Sequence, residues 1–217
     1  MHPPDCPIFD YKRHENHKKL LRVRAGAVLN EILTRMMAYD DLAGDCREVH
    51  KHLFEGLTPR ACDYFAGHFR GEAYRCLQHY PVRMGGGKHG TLPLAVAYDM
   101  KRLREHSRLM LSVLDAEHAG AKSEAEKKKR TVEVISRLVF LFWRIHPYAD
   151  GNGHLGRVRI AALAWRYGYR VHSLEIHPRP ESPTFEEAVH AYDQGRHEPF
   201  HLYLESCLTR KPAARAP

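Results

Sequence analysis

From Ser136 to Ile145 the apolar residues Leu138, Val139, Phe140, Leu141, Phe142 and Trp143 run nearly all round a helical wheel, which is how a helix reads when its neighbours enclose it. Pro147 ends that helix near His146, because proline lacks a backbone donor and turns the residue before it away from helical geometry. Leu155 to Trp165 is again apolar-rich and free of proline, so a second buried helix is expected to start near Asn152 or Gly153. Upstream, Leu21, Ala25, Val28, Leu29, Ile32 and Met36 recur at helical spacing and predict an amphipathic helix within 14–39. A short helix over roughly 46–55 follows, with Asp45 and Glu48 in a capping-box pattern and Gly56 at its end. Thr58-Pro59 reads as a further helix start that Gly67 stops.

Pro93 opens a long helix to about residue 117, with Leu94, Ala97, Met100, Leu103, Met110 and Leu114 on its buried side. Residues 119–130 end in Lys127-Lys128-Lys129-Arg130 and read as a solvated linker. Gly168 stops the second buried helix, 169–181 reads as an irregular link, and two last helices span about 184–194 and 199–208. One stretch breaks the helical period. Tyr80, Val82 and Met84 alternate like a strand before a glycine cluster, which predicts a short β-hairpin over 79–92. The pattern predicts an all-α fold with one small hairpin: a tail at 1–13, a single domain over 14–208 and a second tail at 209–217.

Composition narrows this only slightly. Of 217 residues, 43% are hydrophobic and 28% charged, ordinary globular usage with room for a proper core. No apolar run is long enough to span a bilayer and Met1 to Asp5 carries no apolar leader, so a soluble, cytoplasmic protein is expected. Five cysteines, at 6, 46, 62, 76 and 207, are an odd number without a close pair, so reduced, mostly buried thiols are expected. The net charge of +8 permits attraction to nucleotide or acidic protein without choosing a partner. A membrane is not expected as a partner, nor is nucleic acid.

The chemistry concentrates in His146-Pro147-Tyr148-Ala149-Asp150-Gly151-Asn152-Gly153-His154-Leu155-Gly156-Arg157. Asp150-Gly151-Asn152-Gly153 combines residues that tolerate positive φ, so successive N–H groups can point into one concavity, at the positive end of the second buried helix. Such a nest takes a phosphate. Arg157 lies one turn further on, placed to fork onto another phosphate oxygen. Asp150 beside the nest suits a phosphate carrying Mg²⁺, and His146 is placed to take a proton from a hydroxyl. A zinc site from His146, Asp150 and His154 needs one continuous helix, which Pro147 and the glycines interrupt. A P-loop around Lys88 fails because His89 and Arg83 stand where its hydroxyl residue and first glycine belong.

This stretch resembles the signature of the Fic family, His-Pro-Phe-x-Asp/Glu-Gly-Asn-Gly-Arg-x-x-Arg. Tyr148 replaces the phenylalanine, and His154 replaces the first arginine with a shorter side chain that is mostly neutral at pH 7. Val49-His50-Lys51-His52-Leu53-Phe54 and Ala66-Gly67-His68-Phe69-Arg70 resemble segments that precede the signature in that family.

The resemblance implies a helical Fic-like domain that transfers AMP from ATP, with Mg²⁺, to a hydroxyl of a target protein. It casts His146 as general base and Asp150 as metal ligand. Gly151, Asn152, Gly153, His154 and Arg157 fall at its phosphate-binding positions. The hairpin, with Val82, Arg83, Met84, Gly85, Gly86 and Gly87, matches a flap on which the target docks as an added strand. The alternatives are a Doc-like kinase, another nucleotidyl or phosphocholine transferase, or a catalytically weak Fic-like binding module. The family's inhibitory pattern, Ser/Thr-x-x-x-Glu-Gly/Asn, is absent: Glu15 and Glu55 precede Asn16 and Gly56, but Tyr11 and Lys51 stand four residues earlier. The expectation is that Arg157 has no inhibitory partner within this chain, and that a separate antitoxin-like protein, or nothing, restrains it.

Overall fold

The computed structural model describes residues 3, 5–34, 37, 42, 45–82, 90–180 and 183–211. Its core is a pair of helices joined by the signature turn: α4 (Glu124–Ile145) and α5 (Asn152–Arg166). From Leu155 to Ala164 every residue of α5 is buried, Arg159 included; its guanidinium reaches the Leu42 carbonyl at 2.8 Å and lies over the Phe142 ring. Around this pair pack α1 (His17–Leu33), α2 (Arg47–Phe54), α3 (Val96–Ala119), α6 (Pro183–Asp193) and α7 (Glu198–Ser206). Helix α3 lies on α4, α1 on α5 and α2, and α7 on both α4 and α6. The fold is all-α, as its apolar periodicity predicts, and no described helix is long and apolar enough to cross a membrane.

Several local expectations give way to tertiary context. The expected linker 119–130 is mostly the start of α4. Ser123 and Glu126 form a full capping box, and Arg130 pairs with Glu117 and Glu133. Glu124 and Glu126 fill the first turn, where they suit the helix dipole, and the basic run at 127–130 follows them along the helix. The buried side of α3 holds where it was predicted at Met100, Leu103 and Leu114, with Met110 half-buried, but not at the start: Leu94 is 69% exposed and Ala97 is exposed, whereas Val96 is buried. Pro93–Ala95 forms a 3₁₀ turn, so Leu94 lies outside the α-helical stripe that begins at Val96. No helix follows Thr58; its hydroxyl instead donates to Asp63, and a 3₁₀ turn spans Asp63–Phe65. Asp45 makes no capping box either, because its carboxylate grips the backbone and guanidinium of Arg47.

The described strands lie away from the predicted hairpin. β1 (Tyr169–Val171), expected as irregular chain, pairs antiparallel with β2 (Leu208–Arg210), Tyr169 opposite Arg210 and Val171 opposite Leu208. Of the hairpin, Arg83, Met84, Gly85, Gly86 and Gly87 lie outside the described residues, and Val82 is not in a strand.

The N-terminal segment is not the tail its prolines suggested. Phe9 is 3% exposed and packs on Phe54 and Phe65, while its amide donates to the Tyr80 hydroxyl at 2.7 Å. Cys6 is joined to Cys76 in a disulfide, which corrects the expectation of thiols throughout; Cys46, Cys62 and Cys207 are free and buried. The two bonded cysteines are 70 positions apart, and no local spacing could announce a contact that only the packing of Phe9 against Phe65 creates.

Candidate active site

Helix α4 ends at His146, which takes the left-handed conformation with φ 53°. Arg70 holds this end in place. Its buried guanidinium donates to the carbonyls of Tyr80, Thr91, Ile145 and His146 at 2.8–3.1 Å, and its own amide donates to Pro147 O. Gly90 passes so close that a Cβ there would stand 2.8 Å from that of His146. The His146 ring is half-buried, with Nδ1 3.2 Å from the Trp143 carbonyl. A carbonyl only accepts, so Nδ1 carries the hydrogen and Nε2 keeps its lone pair. Burial, followed by the nearby Arg70 charge, pushes the imidazole down to about 4, against the partial support of the Trp143 carbonyl. His146 is therefore neutral at pH 7.

The turn itself is built around side chains that face inward. Tyr148 is fully buried and stacks on His50 at 3.9 Å with an angle of 5°. Its hydroxyl has no partner among the described residues, so the extra oxygen over phenylalanine is carried at a cost. His50 accepts from the Gly67 amide through Nδ1 at 2.9 Å, so its Nε2 carries the hydrogen that is donated to Asp150 O at 3.0 Å. Burial holds it down at about 3. Asn152 closes the turn, its side chain accepting from Tyr148 N and donating to Tyr148 O. That side chain is thus spent on the turn and is not directed to a phosphate.

Gly151 adopts φ 82°, and a Cβ there would lie 2.4 Å from the Phe54 ring. Its amide donates to Asp150 Oδ1 at 2.7 Å, and Asp150 Oδ2 accepts from Tyr11 N at 3.4 Å. Burial raises the Asp150 carboxyl to about 6. At the start of α5 the His154 and Leu155 amides return to Gly151 O. No described acceptor takes the Asn152 and Gly153 amides.

Arg157 is 3% exposed. Its Nε and Nη2 donate to Ile176 O at 3.2 and 2.9 Å, while Nη1 stands next to Gly153, 3.4 Å from where a Cβ would be. Burial lowers its pKa to about 10, which leaves it charged. No described carboxylate pairs with it. His154 points elsewhere: its Nε2 lies 3.1 Å from His177 Nδ1, and its ring meets Tyr11 and Phe54 edge to face. Burial and the Arg157 charge push His154 well below its ordinary value, so it adds no positive charge at neutral pH.

The predicted residues His146, Asp150, Gly151, Gly153, His154 and Arg157 thus meet at one turn, with Asn152 serving as its internal brace. Sequence reasoning assigned no role to Arg70, His177 or Tyr11. Arg70 lay in a segment already singled out, but nothing in a sequence says that an arginine is fully buried. Tyr192 sits in the α6–α7 core, against Phe140 and Phe200.

The model of the Fic/DOC family matches residues 42–164, more than half of the chain. No curated protein matches it. Among solved structures, the N-terminal Fic domain of a VirB-translocated Bep effector from Bartonella quintana with bound ADP is similar at a TM-score of 0.62 and 18% identity, over 97% of this chain and 94% of that one. BepC from Bartonella tribocorum with bound AMPPNP is similar at 0.59 and 15%, over 89% of each chain. A Fic domain containing signaling protein from Bacteroides thetaiotaomicron reaches 0.57 and 18%, over 88% of this chain and 67% of that one.

Proposed function

This chain belongs to the Fic/DOC family, and from that premise we propose that it is a protein adenylyltransferase, moving AMP from ATP to a Ser, Thr or Tyr hydroxyl of a target protein. The observation that carries the reading is Arg157: a buried guanidinium with no described carboxylate partner, its Nη1 beside Gly153, whose amide, like that of Asn152, has no described acceptor. A buried cation without a counter-charge is costly. A triphosphate supplies that charge and accepts from the same amides. AMPPNP and ADP in the structures of similar proteins support a nucleotide as the anion.

In this reading Nε2 of His146 accepts the proton of the target hydroxyl as its oxygen attacks the α-phosphorus. The bond from that phosphorus to the β-phosphate oxygen breaks and pyrophosphate leaves. The Gly153 amide and Arg157 Nη1 meet the charge that builds on the departing group. The negative triphosphate also raises the His146 pKa from its low value, which favours proton uptake. Asp150 fits Mg²⁺ by its chemistry: a single carboxylate beside the phosphate nest, its charge disfavoured by burial in the protein alone. Asp150 would hold the cation, which when bound neutralises phosphate charge. The target is proposed to lie along residues 82–87 as an added strand, so that backbone bonds rather than side chains position its hydroxyl.

The test is to incubate the protein with cell lysate, Mg²⁺ and ATP labelled on the α- or the γ-phosphate, beside His146→Ala. Protein labelled only from the α-position, and not by the variant, is the expected result. Label only from the γ-position makes the chain a kinase. No label from either leaves a nucleotide-binding module, a reading that neutral, buried His154 in place of an arginine favours.

A further inference from the structure

Residues 5–13 lead from the Cys6–Cys76 disulfide to the signature turn, where Tyr11 meets Asp150 and His154. Beside Cys6, Asp5 pairs with Arg75, and the Cys6–Cys76 disulfide fastens this end of the segment to the body. Phe9 then plugs into the core, and Asp10 caps a 3₁₀ turn over Tyr11–Arg13 by accepting from Lys12 N. Tyr11 is the residue this arrangement delivers. Its amide faces Asp150 Oδ2 at 3.4 Å, and its ring lies 5.3 Å from His154 and 5.4 Å from Phe54. Burial raises the Tyr11 phenol to about 12, with Asp150 and Arg157 both close enough to act on it. The other end of the segment is continuous with α1, whose His17 packs against Tyr11 at 6.0 Å. A cavity of ≈1130 Å³ opens elsewhere, between α2 and the chain at 63–68, and does not include the signature turn.

We propose that residues 6–13 form a strap, locked by the Cys6–Cys76 disulfide, that holds Tyr11 over the Asp150–Arg157 turn and excludes the nucleotide until the disulfide is reduced. The proposal rests on the adenylyltransferase reading of the turn and adds its regulation. It differs from the expectation that a separate antitoxin-like protein, or nothing, restrains the site. A dithiol is the reductant: one of its thiolates attacks a sulfur of the Cys6–Cys76 bond, giving a mixed disulfide and one free cysteine. Its second thiol then displaces the other cysteine. Two electrons and two protons end on Cys6 and Cys76, and the dithiol leaves as a cyclic disulfide. Phe9 remains as a reversible hold, so the strap exchanges between closed and open positions instead of staying shut. A site that is open for only a small fraction of the time binds its ligand more weakly by that fraction.

Two measurements on the whole protein, before and after treatment with a dithiol, test this. Trypsin cleavage after Lys12 and Arg13 reads the strap without any nucleotide, and calorimetric titration with Mg²⁺ and AMPPNP reads the site. Reduction is expected to accelerate cleavage and to turn undetectable AMPPNP binding into saturable binding, at an affinity lowered by the fraction of time the strap stays closed. Cys6→Ser is expected to bind as the reduced protein does, with or without dithiol. Tyr11→Ala keeps the disulfide and is expected to bind more tightly in both states, so the idea stays testable if Cys6→Ser does not fold.

Unchanged cleavage after thiol titration has verified reduction overturns the strap, whatever the site binds. Faster cleavage with equal or weaker AMPPNP binding overturns the gating and makes Tyr11 part of the pocket wall. Faster cleavage with no AMPPNP bound by any form sinks the nucleotide reading of the turn, and the gate falls with it.

Discussion

The two ends of the signature turn are built differently. At the His146 end the backbone is strained and heavily braced, with Arg70 donating to four carbonyls around it, while the imidazole offers a lone pair from a half-buried ring. At the His154–Arg157 end the backbone is ordinary helix, and the side chains are the buried part: Arg157 is tied to Ile176 O and His154 to His177. The first end spends its protein contacts on the main chain and leaves the imidazole Nε2 without a described partner. The second spends its contacts on side chains and leaves backbone amides and one guanidinium nitrogen. The contrast suits the proposed transfer, in which a proton acceptor must reach an incoming hydroxyl and a charge-stabilising cradle works best when fixed in advance and kept from water.

That contrast can be broken at either end. His146→Ala should lower transfer by roughly 10²–10⁴-fold while leaving the urea midpoint near that of the parent protein. A large loss of stability instead would mean that the ring, not only the backbone, supports the turn. Arg70→Ala should cost about 3–5 kcal/mol in urea unfolding, because several buried carbonyls lose their donor at once. Lysine should not rescue it, since an ammonium cannot span four acceptors in a fixed plane. Gly151→Ala should cost about 2–4 kcal/mol, since its φ of 82° disfavours a side chain and the Cβ meets Phe54 at 2.4 Å. A cost below about 1 kcal/mol would show that Phe54 yields easily.

The smallest effect concerns pH. His50 is held at about 3 in the fold against about 6.5 in an unfolded chain. Below 6.5 the unfolded state binds the extra proton and the folded state does not, so stability falls as pH falls through that window. Between pH 7 and 5 this should remove about 2 kcal/mol, measured by urea unfolding at the two values. His50→Gln should lose part of that acid sensitivity; an unchanged pH dependence would assign it to other buried histidines such as His154.

Much of this was legible beforehand where the local pattern is strong. The apolar runs on both sides of Pro147 predict α4 and α5, and the glycines between them predict a nest, because period and punctuation act within a few residues. The face of α3 was legible at Met100, Leu103 and Leu114, but its start was not: Pro93–Ala95 forms a 3₁₀ turn that leaves Leu94 exposed, and that turn depends on what the chain packs against. The start of α4 was legible but outweighed, since Ser123 and Glu126 spell a capping box that the basic run obscured. Asn152 shows a subtler limit. Its place in the turn between the two core helices was legible, but its side-chain amide hydrogen-bonds Tyr148 on both sides, and only the closed turn brings those groups together.

What the sequence determined by itself is the helical class, the place of the turn and the set of polar groups gathered there. Each of these follows from backbone preferences and apolar periodicity, which are short-range. Tertiary structure decided which groups are free to act. Whether Arg157 is paired, whether His154 carries charge, whether Cys6 meets Cys76 and whether Tyr11 lies over Asp150 all depend on contacts between distant segments, where burial sets both protonation and partner.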